Sequence, residues 1–398
     1  MTNPFSTLTA LPPDPLLGLM TAYREDNRAE KFDLGVGVYK NEAGQTPVLR
    51  AVKKAEAKFL ATQDSKVYEG PRGNVDFCEA IERFVFGQNS LLIAAQRTVS
   101  FTAPGGCGAL FLGANLMKRM GTQRVWVSDP TWPNHPKLVK ALGLDTSSYR
   151  YAENGAFAAA AMLEDLSKAS PGDGVIIQGP CHNPTGIDVP VAVWKQLGAL
   201  CKERGLVPLL DVAYHGFAEG LEQDMAGVRA FIDSAGDVLI SYSCSKNFGL
   251  YRERTGCLLA TASNDRTVEA MHTHLADIAR GAYSMPPAHG AGIVATILND
   301  AGLRAEWEQE LDEMRGRMIS LRTSLSEALV AKTGSNALAR LAQQNGMFSQ
   351  LPLNAEQANA LRTASGVYMP GSGRINIAGL KADDIPALST ILAGALFA

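Results

Sequence analysis

Through the middle of the chain, short apolar runs alternate with stretches of helical periodicity, which is how a parallel α/β sheet reads. The candidate strands are Thr98–Thr102, Arg124–Ser128, Gly174–Gln178, Leu206–Asp211, Val238–Tyr242 and Cys257–Thr261. Helical stretches separate several of them, for example Val191–Arg204 beyond the loop at Asn183. The segment Ala305–Leu329 is charged and amphipathic, the pattern of a long helix leading from one domain into another. Beyond it, Gly346–Leu351, Val367–Met369 and Arg374–Ile377 read as short strands of a smaller α+β domain. The expected division is 1–46 as an N-terminal arm and part of the small domain, 47–310 as a large domain, and 311–398 as the rest of the small one. No internal repeat or low-complexity linker interrupts this pattern.

Composition narrows the function classes. With 398 residues the chain is long enough for a large domain and a smaller one. A hydrophobic share of 46% and a charged share of 19% are those of an ordinary globular enzyme. The formal net charge of −3 offers no basic surplus, so no nucleic-acid partner is expected. The charge-free stretch Thr98–Met117 is interrupted by Pro104, Gly105, Gly106 and Gly108, which argues against a membrane span. Met1-Thr2-Asn3-Pro4-Phe5 carries neither the basic nor the apolar region of a secretory leader. The six cysteines lack CxxC spacing, so the expectation is a reduced cytoplasmic chain without disulfides or zinc.

Polar residues of unusual type recur just after the candidate strands. Gly105-Gly106 follows the first, Trp132 the second and Asn183 the third. Asp211 and Tyr214 follow the fourth, and Ser243 and Lys246 the fifth. Ligands of open parallel sheets bind at the carboxyl ends of strands, so these distant groups are expected to converge on one cleft.

Each group suits a definite chemistry. Lys246 sits in Ser243-Cys244-Ser245-Lys246-Asn247-Phe248-Gly249, after an apolar strand and among small hydroxyls, with Arg254 further on. A lysine of lowered pKa there can form an imine with an aldehyde, whereas a solvated lysine is the ordinary alternative. Asp211 closes the run Val207-Pro208-Leu209-Leu210; it suits either a helix N-cap or an ion pair with the protonated pyridine nitrogen of pyridoxal 5′-phosphate (PLP). Gly105-Gly106-Cys107-Gly108 opens the helix Ala109–Met120 as a phosphate cradle or a tight turn. It also loosely resembles a dinucleotide fingerprint with Asp129 as the acid, but that leaves Lys246, Asn183 and Asp211 unexplained. Trp132 can stack on a ring cofactor or fill a core. Asn183, in His182-Asn183-Pro184-Thr185-Gly186, and Tyr214 can hydrogen-bond a phenolate oxygen or serve as turn and packing residues. His135 is equally open between a structural and a functional role. Arg280 and Arg374 are surface charges or bidentate carboxylate forks.

Together these residues resemble the class I PLP aminotransferases, and within them the aspartate and aromatic enzymes. The match runs from Asp33-Leu34-Gly35-Val36-Gly37-Val38-Tyr39-Lys40 to Gly373-Arg374-Ile375-Asn376-Ile377 and is densest at Ser245-Lys246-Asn247-Phe248-Gly249-Leu250-Tyr251. The resemblance implies a fold type I PLP transferase and a homodimer with shared active sites. It implies that Lys246 holds the cofactor and moves the proton, that Asp211 pairs with the pyridinium, and that His135 supports Asp211. Trp132 stacks on the ring; Asn183 and Tyr214 bind its phenolic oxygen. Gly105, Gly106, Cys107, Ser243 and Arg254 hold the phosphate, with Tyr68 arriving from the other subunit. Arg374, helped by Gly37, grips the substrate α-carboxylate, and Arg280 of the other subunit meets a distal carboxylate.

The chain departs from that pattern at several places. Cys107 stands where Thr or Ser is common, Gln178 where His is common, Ala282 and Met285 where Asn recurs, and Val67 replaces a polar residue beside Tyr68. These changes imply a more apolar side-chain pocket, open to aromatic as well as dicarboxylic amino acids, with 2-oxoglutarate as acceptor. The competing readings are a PLP lyase or decarboxylase on the same fold, and a nucleotide-binding protein using the Gly105 loop.

Overall fold

Among the described residues seven strands, all but the third largely apolar, build the central sheet: β1 Thr98–Pro104, β2 Arg124–Asp129, β3 Asp145–Arg150, β4 Gly174–Gln178, β5 Val207–Val212, β6 Leu239–Ser243 and β7 Thr255–Thr261. The structure is a computed structural model and describes residues 3–396 apart from Pro13. Met1 and Thr2 of the expected N-terminal arm, and Phe397 and Ala398 of the expected small domain, lie outside the described residues. Across the sheet the order is β1-β7-β6-β5-β4-β2-β3. Every neighbouring pair is parallel except the two made by β7. This is an α/β fold with a large, mostly parallel sheet.

The alternation of strand side chains explains the layers. Val175, Ile177, Leu210, Val212, Ile240 and Tyr242 point into one core, with Trp194, Leu197, Val228 and Phe231 from the helices Val191–Arg204 and Leu221–Ala235. Ile176, Leu209, Leu239 and Leu258 point into the other, against Leu112 and Leu116 of the helix Gly105–Arg119 and Leu275 of the helix Asp265–Tyr283. Strands covered on both faces read as continuous apolar runs, which is why all six expected strands stand out and coincide with strands of the sheet. β3 went unread. Its sequence Asp145-Thr146-Ser147-Ser148-Tyr149-Arg150 is polar, as suits an edge strand that pairs with β2 alone among the described residues and buries only Tyr149.

A third core gathers Phe32 and Leu34 with Leu321, Leu325, Leu361, Ile375, Leu388 and Leu392. Phe32–Asp33 pairs in parallel with Val367–Tyr368, and Phe348–Gln350 pairs antiparallel with Arg374–Asn376. The long helix is Ala301–Thr333, extending beyond the expected Ala305–Leu329 at both ends. Asp300 caps its start by accepting from the Gly302 and Leu303 amides, and Gly334 ends it at φ +68°. Its first half packs Trp307, Leu311 and Met314 into the large core and its second half packs Leu325 and Leu329 into the small one, so residue 310 falls inside a continuous helix.

β7 completes the edge at which the other long strands stop. Running against its neighbours, it brings its first residues, with Arg254 just before them, to the side where β1, β2, β4, β5 and β6 end. There Gly256 lies directly under Gly105: a Cβ at 256 would stand 2.5 Å from the Gly105 carbonyl carbon. Gly256→Ala is therefore expected to cost about 1–3 kcal/mol, the usual penalty for overpacking. Urea unfolding checks this, and an unchanged midpoint would contradict the close approach.

Candidate active site

At the carboxyl edge of the sheet lies a cavity of about 280 Å³. Gly37, Gly106, Cys107, Trp132, Asn183, Asp211, Tyr214, Ser243, Lys246, Arg254 and Arg374 all line it. Gly105 lies just behind the wall. With φ +70°, a Cβ there would collide with the Arg254 guanidinium, so only glycine permits the arginine this close.

Asp211 is 8% exposed at the end of β5, and a carboxylate so placed needs a partner. His135 supplies it. Its Nε2 lies 2.9 Å from Asp211 Oδ2, and its Nδ1 lies 2.9 Å from the Thr131 hydroxyl. The carboxylate only accepts, so Nε2–H donates to it. Trp132 stands edge-on to the His135 ring at 5.3 Å. Asp211 is thus a strand residue held by a histidine, which sets aside the helix N-cap alternative.

Lys246 follows the end of β6, partly buried, with Nζ 5.1 Å from the centroid of the Tyr214 ring. Withdrawal from water lowers its pKa; Asp211 and then Cys107 oppose the shift, and Arg254 adds to it. Tyr214 accepts from Asn183 Nδ2 at 3.3 Å, which leaves its own proton free to donate into the cavity. Burial pushes its phenol above the usual range, so that proton is kept.

The Asn183 loop is clamped at both ends. Gln178 Nε2 donates to Asn183 O at 2.9 Å, and Asn183 N donates to Gln178 Oε1 at 3.0 Å. His182 stacks on Tyr151 at 3.7 Å and bridges the hydroxyls of Ser128 and Thr185. Gln178, read from the sequence as a specificity change, spends both ends of its amide on this loop.

Opposite lies a group of donors suited to an anion. The helix Gly105–Arg119 has no acid in its first turn, and the hydroxyls of Ser243 and Ser245 lie beside it. Arg254 Nη1 donates to Tyr251 O at 3.0 Å, which aims the guanidinium while leaving its other donors. Across the cavity, Arg374 is 8% exposed and donates through Nη2 to Gly35 O at 2.6 Å. Its guanidinium lies 4.4 Å above the Phe348 ring. Arg374 Nε and Asn183 Oδ1 are buried and have no partner among the described residues. Gly37 is required beside Phe348, since a Cβ would come 2.9 Å from its ring.

Two expected site residues lie elsewhere. Tyr68 is 86% exposed, and Arg280 is exposed and donates to Ser284 Oγ; neither lines this cavity. Val67 and Ala282 are exposed as well. Conversely, Leu16, Leu110, Ala213, Ser245 and Phe348 line the wall without having been singled out from the sequence. Ser245 was legible as a second hydroxyl beside Lys246. Phe348 and Leu16 read only as apolar positions.

The comparisons agree with this geometry. The family model for aminotransferases of class I and II matches residues 29–392. A tyrosine aminotransferase of Rhizobium meliloti (strain 1021) is 46% identical over 95% of this chain and 96% of its own. The aspartate aminotransferase of Escherichia coli (strain K12) is 43% identical over 98% and 100%. Among solved structures, the aromatic-amino-acid aminotransferase from Burkholderia pseudomallei, covalently bound to pyridoxal phosphate, superimposes with a TM-score of 0.96 at 37% identity, covering 99% of this chain and 100% of that one. The chain belongs to the class I aminotransferases, in the branch of the aspartate and aromatic-amino-acid enzymes. It is a PLP-dependent transaminase, which removes the lyase and nucleotide-binding alternatives.

The residues present fit that coenzyme. A glycine cradle, two hydroxyls and an arginine suit a phosphate; Asp211 suits a pyridinium, Tyr214 an anionic oxygen and Lys246 an aldehyde. A lysine of lowered pKa is a neutral amine at lower pH than usual. Imine formation by the apoenzyme with PLP should therefore rise with pH and level off below the ordinary lysine value of about 10.4. Stopped-flow absorbance checks this; a rate still climbing through that value would contradict it.

Proposed function

We propose that this enzyme moves the amino group of aspartate and of aromatic amino acids, tyrosine and phenylalanine, to 2-oxoglutarate in two alternating half-reactions. The observation that carries the reading is the single cavity in which Lys246, Asp211 and Arg374 face one another. When bound, PLP supplies the electron sink for the carbanion at the substrate Cα. Asp211, held by His135, keeps the ring nitrogen protonated, and Trp132 covers one face of the ring. Gly105, Gly106, Cys107, Ser243 and Arg254 anchor the phosphate, with the backbone amide at Cys107 serving where a hydroxyl is common. Asn183 and Tyr214 hold the phenolic oxygen. Arg374 grips the α-carboxylate, with Gly37 leaving room beside it. With the coenzyme bound, Lys246 Nζ would be the base that takes the Cα proton and gives it back in the second half of the transfer. The first oxo acid leaves before 2-oxoglutarate enters.

The assembly we propose is a homodimer with shared active sites. The exposed positions of Tyr68 and Arg280, and the exposed apolar Leu60 and Val67, support a second copy that brings the first to the phosphate and the second to a distal carboxylate. We retain the division into 1–46, 47–310 and 311–398, supported by the separate core around Phe32, Leu325 and Ile375. A cytoplasmic location is supported by six free cysteines, five of them buried. Among the described residues, no helix is long and apolar enough to cross a membrane.

Leu16, Leu110, Trp132 and Phe348 give the cavity a largely apolar wall, which favours aromatic side chains. The expected preference for aspartate over phenylalanine in kcat/KM is less than about 10⁴-fold, the discrimination reached when buried polar groups go unpaired. A larger ratio would restrict the enzyme to dicarboxylic donors. Asp211→Asn should lower kcat by about 10–10³-fold, since a neighbouring carboxylate raises such a nitrogen by about 1–3 pK units. Steady-state kinetics at saturating PLP decides it, and an unchanged kcat would remove Asp211 from its role.

A further inference from the structure

Beneath the cavity, three fully buried polar side chains form one chain of hydrogen bonds that the roles above leave unused. His215 Nε2 lies 2.7 Å from Leu221 O, His215 Nδ1 lies 2.9 Å from the Tyr242 hydroxyl, and Asn247 Nδ2 lies 2.9 Å from that same hydroxyl. The direction of every bond is fixed. The Leu221 carbonyl only accepts, so Nε2 carries the proton. Burial lowers the ring's pKa and keeps it neutral, which makes Nδ1 an acceptor. Tyr242 therefore donates to His215, and its oxygen accepts a hydrogen bond from Asn247 Nδ2.

The two ends of this chain adjoin the site. His215 follows Tyr214 and Asn247 follows Lys246, the two residues whose amine and ring stand 5.1 Å apart. Asn247 Oδ1 has no partner among the described residues, so Tyr242 is the anchor of that side chain. Aromatic rings close off the surroundings. Phe84 lies 4.6 Å from His215, and Trp307 stacks on Phe248 at 4.3 Å while donating to the Asn247 backbone carbonyl at 2.8 Å. Apolar side chains of the same volume would fill this space without the cost of burying polar atoms. A polar chain here needs a use beyond packing.

We propose that His215, Tyr242 and Asn247 are positioning residues that fix the spacing between Lys246 and Tyr214 from two different strand ends. This rests on the reading that Lys246 carries the coenzyme and Tyr214 donates to its phenolic oxygen. Tyr242→Phe keeps the ring and removes the hydroxyl. The readout is the pH midpoint of the visible absorbance of the PLP-loaded enzyme without substrate, measured beside thermal stability. A donor to an anionic oxygen favours its deprotonated form, so a loosened Tyr214 raises the midpoint. The expected rise is about 0.5 pH unit or more, roughly 0.7 kcal/mol at 1.36 kcal/mol per unit. His215→Leu breaks the chain at its other end and should shift the midpoint the same way. An unmoved midpoint in these variants, with only thermal stability lowered, overturns the proposal and leaves the trio as packing. A parent enzyme with no pH-dependent coenzyme band overturns the underlying reading, and the positioning role with it.

Discussion

Charge withdrawn from water is the constraint that organises this molecule. An amine at 246 and a carboxylate at 211 share one small cavity, and each must be compensated where it sits. The carboxylate is compensated permanently, by His135 and through it by Thr131. The amine has no ion-pair partner of its own among the described residues, and burial shifts it toward the neutral, nucleophilic form. A coenzyme that offers an aldehyde to one and a cationic ring nitrogen to the other resolves both.

The fold delivers these groups because parallel strands end together. β1, β4, β5 and β6 present the cradle, Asn183, Asp211 and Lys246, and the reversed β7 adds Arg254 from its starting end. Arg374, on the strand of Ile375, and Gly37, just after Leu34, come from beside the smaller core, so the cavity wall is built from both sides. Within the wall, Gln178 clamps Asn183, and Ser245 lies 3.5 Å from Arg254. Most of the polar atoms near the site are spent on holding the few that face it.

Much of this was legible in the sequence, for a physical reason. Doubly covered strands are apolar throughout, so Asp211 or Lys246 at a strand end contrasts sharply with what precedes it. The same logic hid β3, whose polar edge position erases the contrast. The long helix was read short because its cap at Asp300 and its stop at Gly334 lie outside the amphipathic stretch. Phe348 could not be told from a core residue, since its contact with Arg374 joins two strands distant from Tyr214 in the chain. His215 was equally invisible: its partner Tyr242 becomes a neighbour only when the sheet forms. Tyr68 and Arg280 were legible as residue types, yet one chain alone leaves them on its surface.

The decisive measurement is borohydride reduction of the PLP-loaded enzyme, followed by peptide mapping. One pyridoxyl group should be fixed per chain, on the peptide that contains Lys246. Label on any other lysine, or none at all, would contradict a coenzyme held at this amine.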